Sequence, residues 1–333
     1  MKELQAIVRA LLAPTTGKTV LATLVTVEGS SYRRPGARLL IAAGGLTFGS
    51  ISGGCLEEDV LARAKRVMAT GQAETVVYDT TRENDLVWGV GLGCHGVVNV
   101  VIERLPPRPA WAVALDENIT VRRSTALAIV HTASTTVPLG TRLAAELPAD
   151  AIPVTGVFLN IVPPLTALVI FGAGDDAQPL ARLAHELGWH VTVADPRPAF
   201  ATSPRFPTAE RLVVAPAAEL AGRSSLDPGT LAVVMTHHYV HDVPLLRTLL
   251  PQPLAYLGLL GPKKRAAKIL ADLAGEGVVL TPAQHARLHA PVGLDLGADS
   301  PAQVALAIIA EMQASLSGRD ARPLRQRTRP IHS

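Results

Sequence analysis

The chain has 333 residues, 48% hydrophobic and 18% charged, enough to build two domains with cores of their own. Two cysteines and no CxxC pair exclude a disulfide framework, a zinc ribbon and a thioredoxin-type dithiol, and point to a reducing compartment. A net charge of +3 and 4% aromatic residues argue against a nucleic-acid surface. Neither a signal peptide nor an apolar run long enough for a membrane span is read, so the expectation is a soluble cytoplasmic α/β protein.

Met1–Gly17 reads as a short amphipathic helix. Thr19–Val27, rich in β-branched residues, reads as a strand, and Arg38–Ala42 with Leu46–Phe48 as a hairpin across Gly44-Gly45. Over Cys55–Thr70, Leu56, Val60, Leu61, Ala64 and Val67 recur at helical spacing until Gly71 stops the run. Glu74–Tyr78 and Val97–Ile102 read as strands, and the proline cluster at 106–109 breaks the pattern. Between 110 and 163 only Ala126–Val130 and Pro153–Asn160 stand out, as strands of a small sheet.

After Pro163-Pro164 strands and helices alternate. Ala167–Phe171 and His190–Ala194 flank a helix that ends before Gly188, and Leu212–Val214, Leu231–Met235 and Ala255–Leu257 are later strands. Helices are predicted near Val243–Leu250 and Lys263–Leu273. Thr281-Pro282 and Ser300-Pro301 each start a helix with a cap and an N1 proline. The expected fold is α/β: an amino-terminal mixed α/β module over 1–105, a connecting segment over 106–164, a Rossmann-like doubly wound parallel sheet over 165–316, and a tail over 317–333. The tail's arginines and prolines predict disorder and account for most of the basic balance.

Phe171-Gly172-Ala173-Gly174-Asp175-Asp176-Ala177 is a GxGxxA turn between strand and helix. Gly172 suits the tight turn, Gly174 the approach of a phosphate, and Ala177 close helix packing. Asp195 closes the next strand, where an acid binds a ribose hydroxyl in dinucleotide folds. Two acids at the helix start favour the alternative of an empty, self-capped turn. Arg197 is suited to a phosphate or to pairing with Asp195.

The cysteines lie among glycines. Cys55 follows Ser50-Ile51-Ser52-Gly53-Gly54 at the predicted helix start, where free N–H groups favour a thiolate. Cys94 sits in Gly93-Cys94-His95-Gly96. A shared pocket for a soft metal or sulfur group competes with two inert core thiols, and a structural zinc lacks ligands. Ser30, Ser31, Arg33 and Arg34 make the turn Gly29–Gly36 an oxyanion grip or an ordinary surface turn. His237 or His238 with His241, after a strand end, has a spacing that invites a metal reading, but no HExxH pattern supports it, and His237 is the candidate acid if the fold serves an oxidoreductase. Gly258 and Gly261 lead into Lys263-Lys264-Arg265, a cationic helix start that a phosphate would stabilise, or a solvated basic face.

These motifs together resemble the XdhC/CoxI family of accessory proteins for molybdenum hydroxylases. The resemblance runs from Gly29-Ser30, Arg33 and Gly36 through Gly49–Glu57 and Gly93–Gly96 to the Rossmann-like motifs. It continues at Asp195-Pro196-Arg197, Met235-Thr236-His237 with Asp242, Tyr256–Gly261, Leu288–Asp295 and Ala305–Glu311. It implies a chaperone that binds molybdenum cofactor (molybdopterin) and assists its sulfuration and insertion into a xanthine dehydrogenase or CO dehydrogenase type client. A cysteine desulfurase partner and a homodimer are also implied. On that reading Cys55 and Cys94 face molybdenum or its terminal sulfur, Arg33 and the loop of Ser50, Ser52, Gly53 and Gly54 hold oxyanions, and Glu57 is a further cofactor-binding residue. Gly172, Gly174, Ala177, Asp195, Arg197, His237, Gly258, Gly261, Lys263 and Lys264 hold the phosphate or nucleotide end. The rival reading is an NAD(P)-dependent oxidoreductase using Gly172, Gly174 and Asp195 with His237 as acid.

Overall fold

Side chains that alternate along the strands sort into opposite faces of two larger sheets, and this alternation organises each half of the chain. The computed structural model describes residues 1–14, 17–81, 96–133, 137–148 and 156–328. The chain divides into two compact units, Met1–Pro164 and Leu165–Ser333.

The first unit opens with helix α1 (Lys2–Leu12). Strands β1 (Thr19–Gly29), β2 (Arg38–Ala42), β3 (Thr47–Gly49), β4 (Glu74–Asp79) and β5 (Gly96–Leu105) form an antiparallel sheet in the order β3-β2-β1-β5-β4. Helix α2 (Glu57–Thr70) packs Val60, Ala64 and Val67 against Val20, Ala22, Val100 and Ile102 on one face. Gly71, at φ +77°, ends it in the left-handed conformation expected of a C-terminal glycine. On the other face, Ile7 and Val8 of α1 and Trp111 and Leu115 of α3 (Ala110–Thr120) cover Leu21, Val25 and Val101. A second sheet of β6 (Thr125–Val130), β7 (Gly140–Leu143) and β8 (Val157–Val162), ordered β7-β6-β8, contributes Leu127 and Ile129 to that core. The predicted strand Pro153–Asn160 thus begins at Val157 among the described residues.

In the second unit six strands form a parallel sheet: β9 (Ala167–Phe171), β10 (His190–Asp195), β11 (Arg211–Val214), β12 (Thr230–Val234), β13 (Tyr256–Leu259) and β14 (Leu288–His289). Their spatial order is β11-β10-β9-β12-β13-β14, which numbered within the unit is 3-2-1-4-5-6, the doubly wound Rossmann order. Leu168, Ile170, Val191 and Val193 face α4 (Ala177–Glu186) and α9 (Pro301–Leu316). Val169, Phe171, Ala232 and Val234 face α5 (Ala217–Arg223), α6 (Tyr239–Leu249) and α7 (Lys263–Gly275). Thr281 and Ser300 cap α8 (Pro282–Arg287) and α9 through capping boxes with Gln284 and Gln303. The strand order reverses between β9 and β12, so the carboxyl ends of those strands define the crevice where such folds bind ligands. No helix among the described residues is long and apolar enough to cross a membrane.

Candidate functional site

In the first unit the loop before α2 is organised by one carboxylate. Glu57, the first residue of α2, turns back over Ser50–Gly54. Its Oε1 accepts from Ser50 Oγ at 3.0 Å and from the Ser52 backbone N–H at 2.9 Å, while Oε2 accepts from Ser52 Oγ. Burial pushes the Glu57 pKa up, but the hydrogen bonds from Ser52 and Ser50 outweigh it and hold the group below the ordinary range. Ser52 Oγ in turn faces the Gly54 and Leu56 N–H groups at 3.2 and 3.1 Å.

Those contacts revise the local picture around Cys55. The helix starts at Glu57 with Leu56 as its cap residue, so Cys55 precedes the cap. Two N–H groups flanking the thiol are engaged by Ser52. Cys55 is half-buried and packs on the α2 side of the core. Cys94 and His95 lie outside the described residues.

The turn after β1 abuts this loop, because the Tyr32 ring would lie 3.6 Å from a Cβ added to Gly53. Arg33 donates to both Glu3 carboxylate oxygens, at 3.0 and 2.5 Å. That contact raises the Arg33 pKa and lowers that of Glu3, so its guanidinium is matched to a side chain of α1. Deeper in the unit, burial pushes Arg38 down to about 10. Its Nη1 and Nη2 donate to Gly36 O at 3.0 Å and to Asn160 Oδ1 at 2.9 Å.

In the second unit the crevice gathers Gly172, Gly174, Ala177, Asp195, Arg197 and His237. Gly172 has φ +120°, and an added Cβ would lie 2.5 Å from Met235 O, so any side chain here collides with backbone leaving β12. Ala177 is fully buried between α4 and the sheet, as close packing requires.

Asp195 has no exposed surface. Its Oδ2 accepts from the Ala173 N–H at 2.7 Å and from Arg197 Nη2 at 2.8 Å. Its Oδ1 accepts from the Arg197 N–H at 2.8 Å and from Arg197 Nε at 2.9 Å. Burial alone would raise its pKa, but the Arg197 and Ala173 donors bring it below the ordinary value. The carboxylate expected to meet a ribose thus binds the glycine turn and Arg197, and both its oxygens are engaged.

His237 Nε2 lies 2.7 Å from Oδ2 of Asp176, the cap residue of α4. The Asp176 contact raises the imidazole pKa against the opposing effect of burial. His237 itself stands at φ +61°. Beside it, Arg205 donates to Ala173 O and to Asp175 Oδ1, both at 3.0 Å.

Behind the crevice Asp242 is buried between the Thr236 hydroxyl, 2.5 Å away, and the Arg265 guanidinium. Arg265 of the predicted basic turn therefore ties α7 to α6, while Lys263 and Lys264 are exposed. Gly258 lies within β13, where an added Cβ would meet Val292 Cγ2 at 2.6 Å, so it serves packing. Three residues from separate stretches of the resemblance, Tyr256, His289 and Glu311, come together in a cluster that spacing does not assemble. The two rings stack at 4.2 Å, and Glu311 accepts from Tyr256 OH at 2.5 Å and from the Gly293 N–H at 2.9 Å. Arg205 carries no local signal, and Glu311, within the Ala305–Glu311 stretch of the resemblance, gives no sign of its partners, because each reaches them across the fold.

The family model for the XdhC Rossmann domain matches residues 168–312, and that for the XdhC and CoxI family matches residues 14–79. The chain is 35% identical to a Bacillus subtilis (strain 168) protein named as a probable subunit of xanthine dehydrogenase, over 89% of this chain and 92% of that one. It is 25% identical to the "Molybdenum cofactor insertion chaperone PaoD" of Escherichia coli (strain K12), over 91% of this chain and 85% of that one. A crystal structure described as a xanthine dehydrogenase from Bacillus halodurans matches with a TM-score of 0.82 at 29% identity, covering 97% of this chain and 99% of the other. The chain belongs to the XdhC and CoxI family.

Proposed function

We propose that this protein is an accessory factor that binds molybdenum cofactor and assists its sulfuration and insertion into a molybdenum hydroxylase. The client is of the xanthine dehydrogenase or CO dehydrogenase type, a cysteine desulfurase supplies sulfur, and the working form is a homodimer. The observation that carries this reading is the similarity over nine-tenths of the chain to a protein named as a molybdenum cofactor insertion chaperone.

The geometry supports it in two places. The loop Ser50–Gly54, held by Glu57 beside Cys55, is a small polar cradle next to a thiol. A thiolate is a soft donor suited to molybdenum or to its terminal sulfur. In the second unit, His237 at the head of α4 and the exposed Lys263 and Lys264 at the head of α7 offer cations for a pterin phosphate or nucleotide. The test is to incubate the purified protein with molybdenum cofactor, isolate it by gel filtration, and measure bound molybdenum and oxidised pterin fluorescence. Stoichiometric uptake, and transfer to a cofactor-free hydroxylase, is the expected result.

The 3-2-1-4-5-6 sheet with its glycine turn favours a second reading, an NAD(P)-dependent oxidoreductase. Against it stands Asp195, whose oxygens are both engaged. Titration with NADH and NADPH separates the two, since the oxidoreductase requires binding and turnover of a carbonyl substrate.

A further inference from the structure

Arg197 is held in a way that leaves one surface for a ligand. Its Nε and Nη2 meet the two oxygens of Asp195 at 2.9 and 2.8 Å, a two-point contact that fixes the guanidinium plane along one edge. The Phe200 ring fixes one face, with Arg197 Cζ 3.8 Å from the ring centroid. Arg205 approaches the same ring at 5.2 Å and anchors to Ala173 O in the glycine turn. Yet 36% of the Arg197 side chain remains accessible, although its edge and one face are covered. The platform stands just past the carboxyl end of β10, and Asp195 ties it to the turn through the Ala173 N–H.

From this arrangement we propose that the outer face of Arg197 is a stacking platform for a flat nitrogen heterocycle that also carries a phosphate. A planar, delocalised cation stacks on aromatic rings in a way an ammonium cannot. With both Asp195 oxygens occupied, selection at this end of the crevice rests on the ring, and the ribose diol contributes little. Purine mononucleotides and phosphorylated pterins share this chemistry. The inference rests on the reading above that the second unit holds the phosphate-bearing end of the cargo.

The test is isothermal titration of the full-length protein with AMP, GMP, neopterin monophosphate and ribose 5-phosphate, the last lacking a ring. At least one ring-bearing probe should bind about tenfold tighter than ribose 5-phosphate. Arg197→Lys retains a cation for Asp195 but has no planar face, so it should abolish that difference. Phe200→Leu, which does not touch Asp195, should weaken the same probe in the same direction, and thermal melting confirms that both variants fold. A tighter neopterin monophosphate names the pterin as ligand, and a tighter AMP or GMP names a nucleotide. Equal binding of ring-bearing and ring-free probes, unchanged ring affinity in Arg197→Lys, or no ring-bearing probe bound at millimolar concentration would overturn the platform. Cofactor loading separates the two layers. Where neopterin monophosphate is the tighter probe, wild-type protein that loads molybdenum cofactor while Arg197→Lys loads it equally well sinks the platform alone. Protein that stacks a ring through Arg197 but takes up no molybdenum cofactor sinks the chaperone reading alone.

Discussion

Asp195 and Arg197 form a two-point ion pair at the end of β10, and the same carboxylate accepts the Ala173 N–H of the glycine turn. One fully buried acid therefore sets both the shape of the turn and the position of the guanidinium. Asp195→Ala leaves a buried N–H and a cation without their acceptor. It should cost about 3 kcal/mol, read from urea unfolding of the full chain. The pH dependence has a defined sign. Because the folded pKa lies below the ordinary 3.8, the stabilisation is complete above that value and disappears as pH falls through the folded pKa. Asp195→Asn should flatten that acid limb, and an unchanged acid limb would show that the pair adds no stability.

Gly172, just past the end of β9, and Gly258, within β13, should respond differently to alanine. Gly172→Ala sets a Cβ 2.5 Å from a backbone carbonyl at a positive φ, and should cost about 3 kcal/mol or prevent folding. Gly258→Ala meets the side chain of Val292, which can be trimmed. Gly258→Ala should therefore cost less, and Val292→Ala in the same chain should recover part of the loss. Equal destabilisation by both, with no recovery, would contradict this assignment.

His237 should titrate above its ordinary value of 6.5 because Asp176 stabilises the imidazolium. A raised folded pKa means that the pair's contribution is complete below about pH 6.5 and is lost as pH rises through the folded value. Both side chains are partly in water, so the effect on stability is small and is best read by NMR of the imidazole protons. Asp176→Asn should lower the midpoint. An unmoved midpoint would mean that the 2.7 Å contact does not persist in solution.

Glu57 should govern access to Cys55. Glu57→Gln removes the charge that holds Ser50 and Ser52, and should speed alkylation of Cys55 several-fold, followed by peptide mass spectrometry that resolves it from Cys94. The wild-type rate should rise as pH falls through the lowered Glu57 pKa, once the higher thiolate fraction at high pH is corrected for. Unaltered alkylation would mean that the loop does not depend on the carboxylate.

The alternating half of the chain was the more legible in sequence. Short apolar runs such as Ala167–Phe171 and Leu231–Met235 are buried on both sides, with Gly172 after the first and Pro228-Gly229 just before the second. Helix α3 was not legible. Only Trp111, Ala112 and Leu115 are buried on it, its second half is polar, and it follows a proline cluster that reads as a break. Strand β7 is four residues long and half-exposed, too short for a periodic signal. At the site, the glycine turn and Asp195 were found from spacing, but their internal pairing was not. Spacing locates an acid at a strand end and leaves open whether its oxygens face a ligand or the protein's own N–H groups. Arg205 with Ala173, Asp176 with His237, and Glu311 with Gly293 are pairings made by the fold, across 18 to 61 residues of sequence.

On the proposed function this chain carries molybdenum cofactor and holds it through Cys55 and Cys94. The direct measurement is molybdenum by inductively coupled plasma mass spectrometry, with pterin fluorescence, on protein re-isolated after incubation with the cofactor. About one molybdenum and one pterin per chain, lost or sharply reduced in a Cys55→Ala, Cys94→Ala double variant that melts like wild type, is the predicted result. Re-isolated protein with neither molybdenum nor pterin, or a double variant that loads as well as wild type, would contradict it.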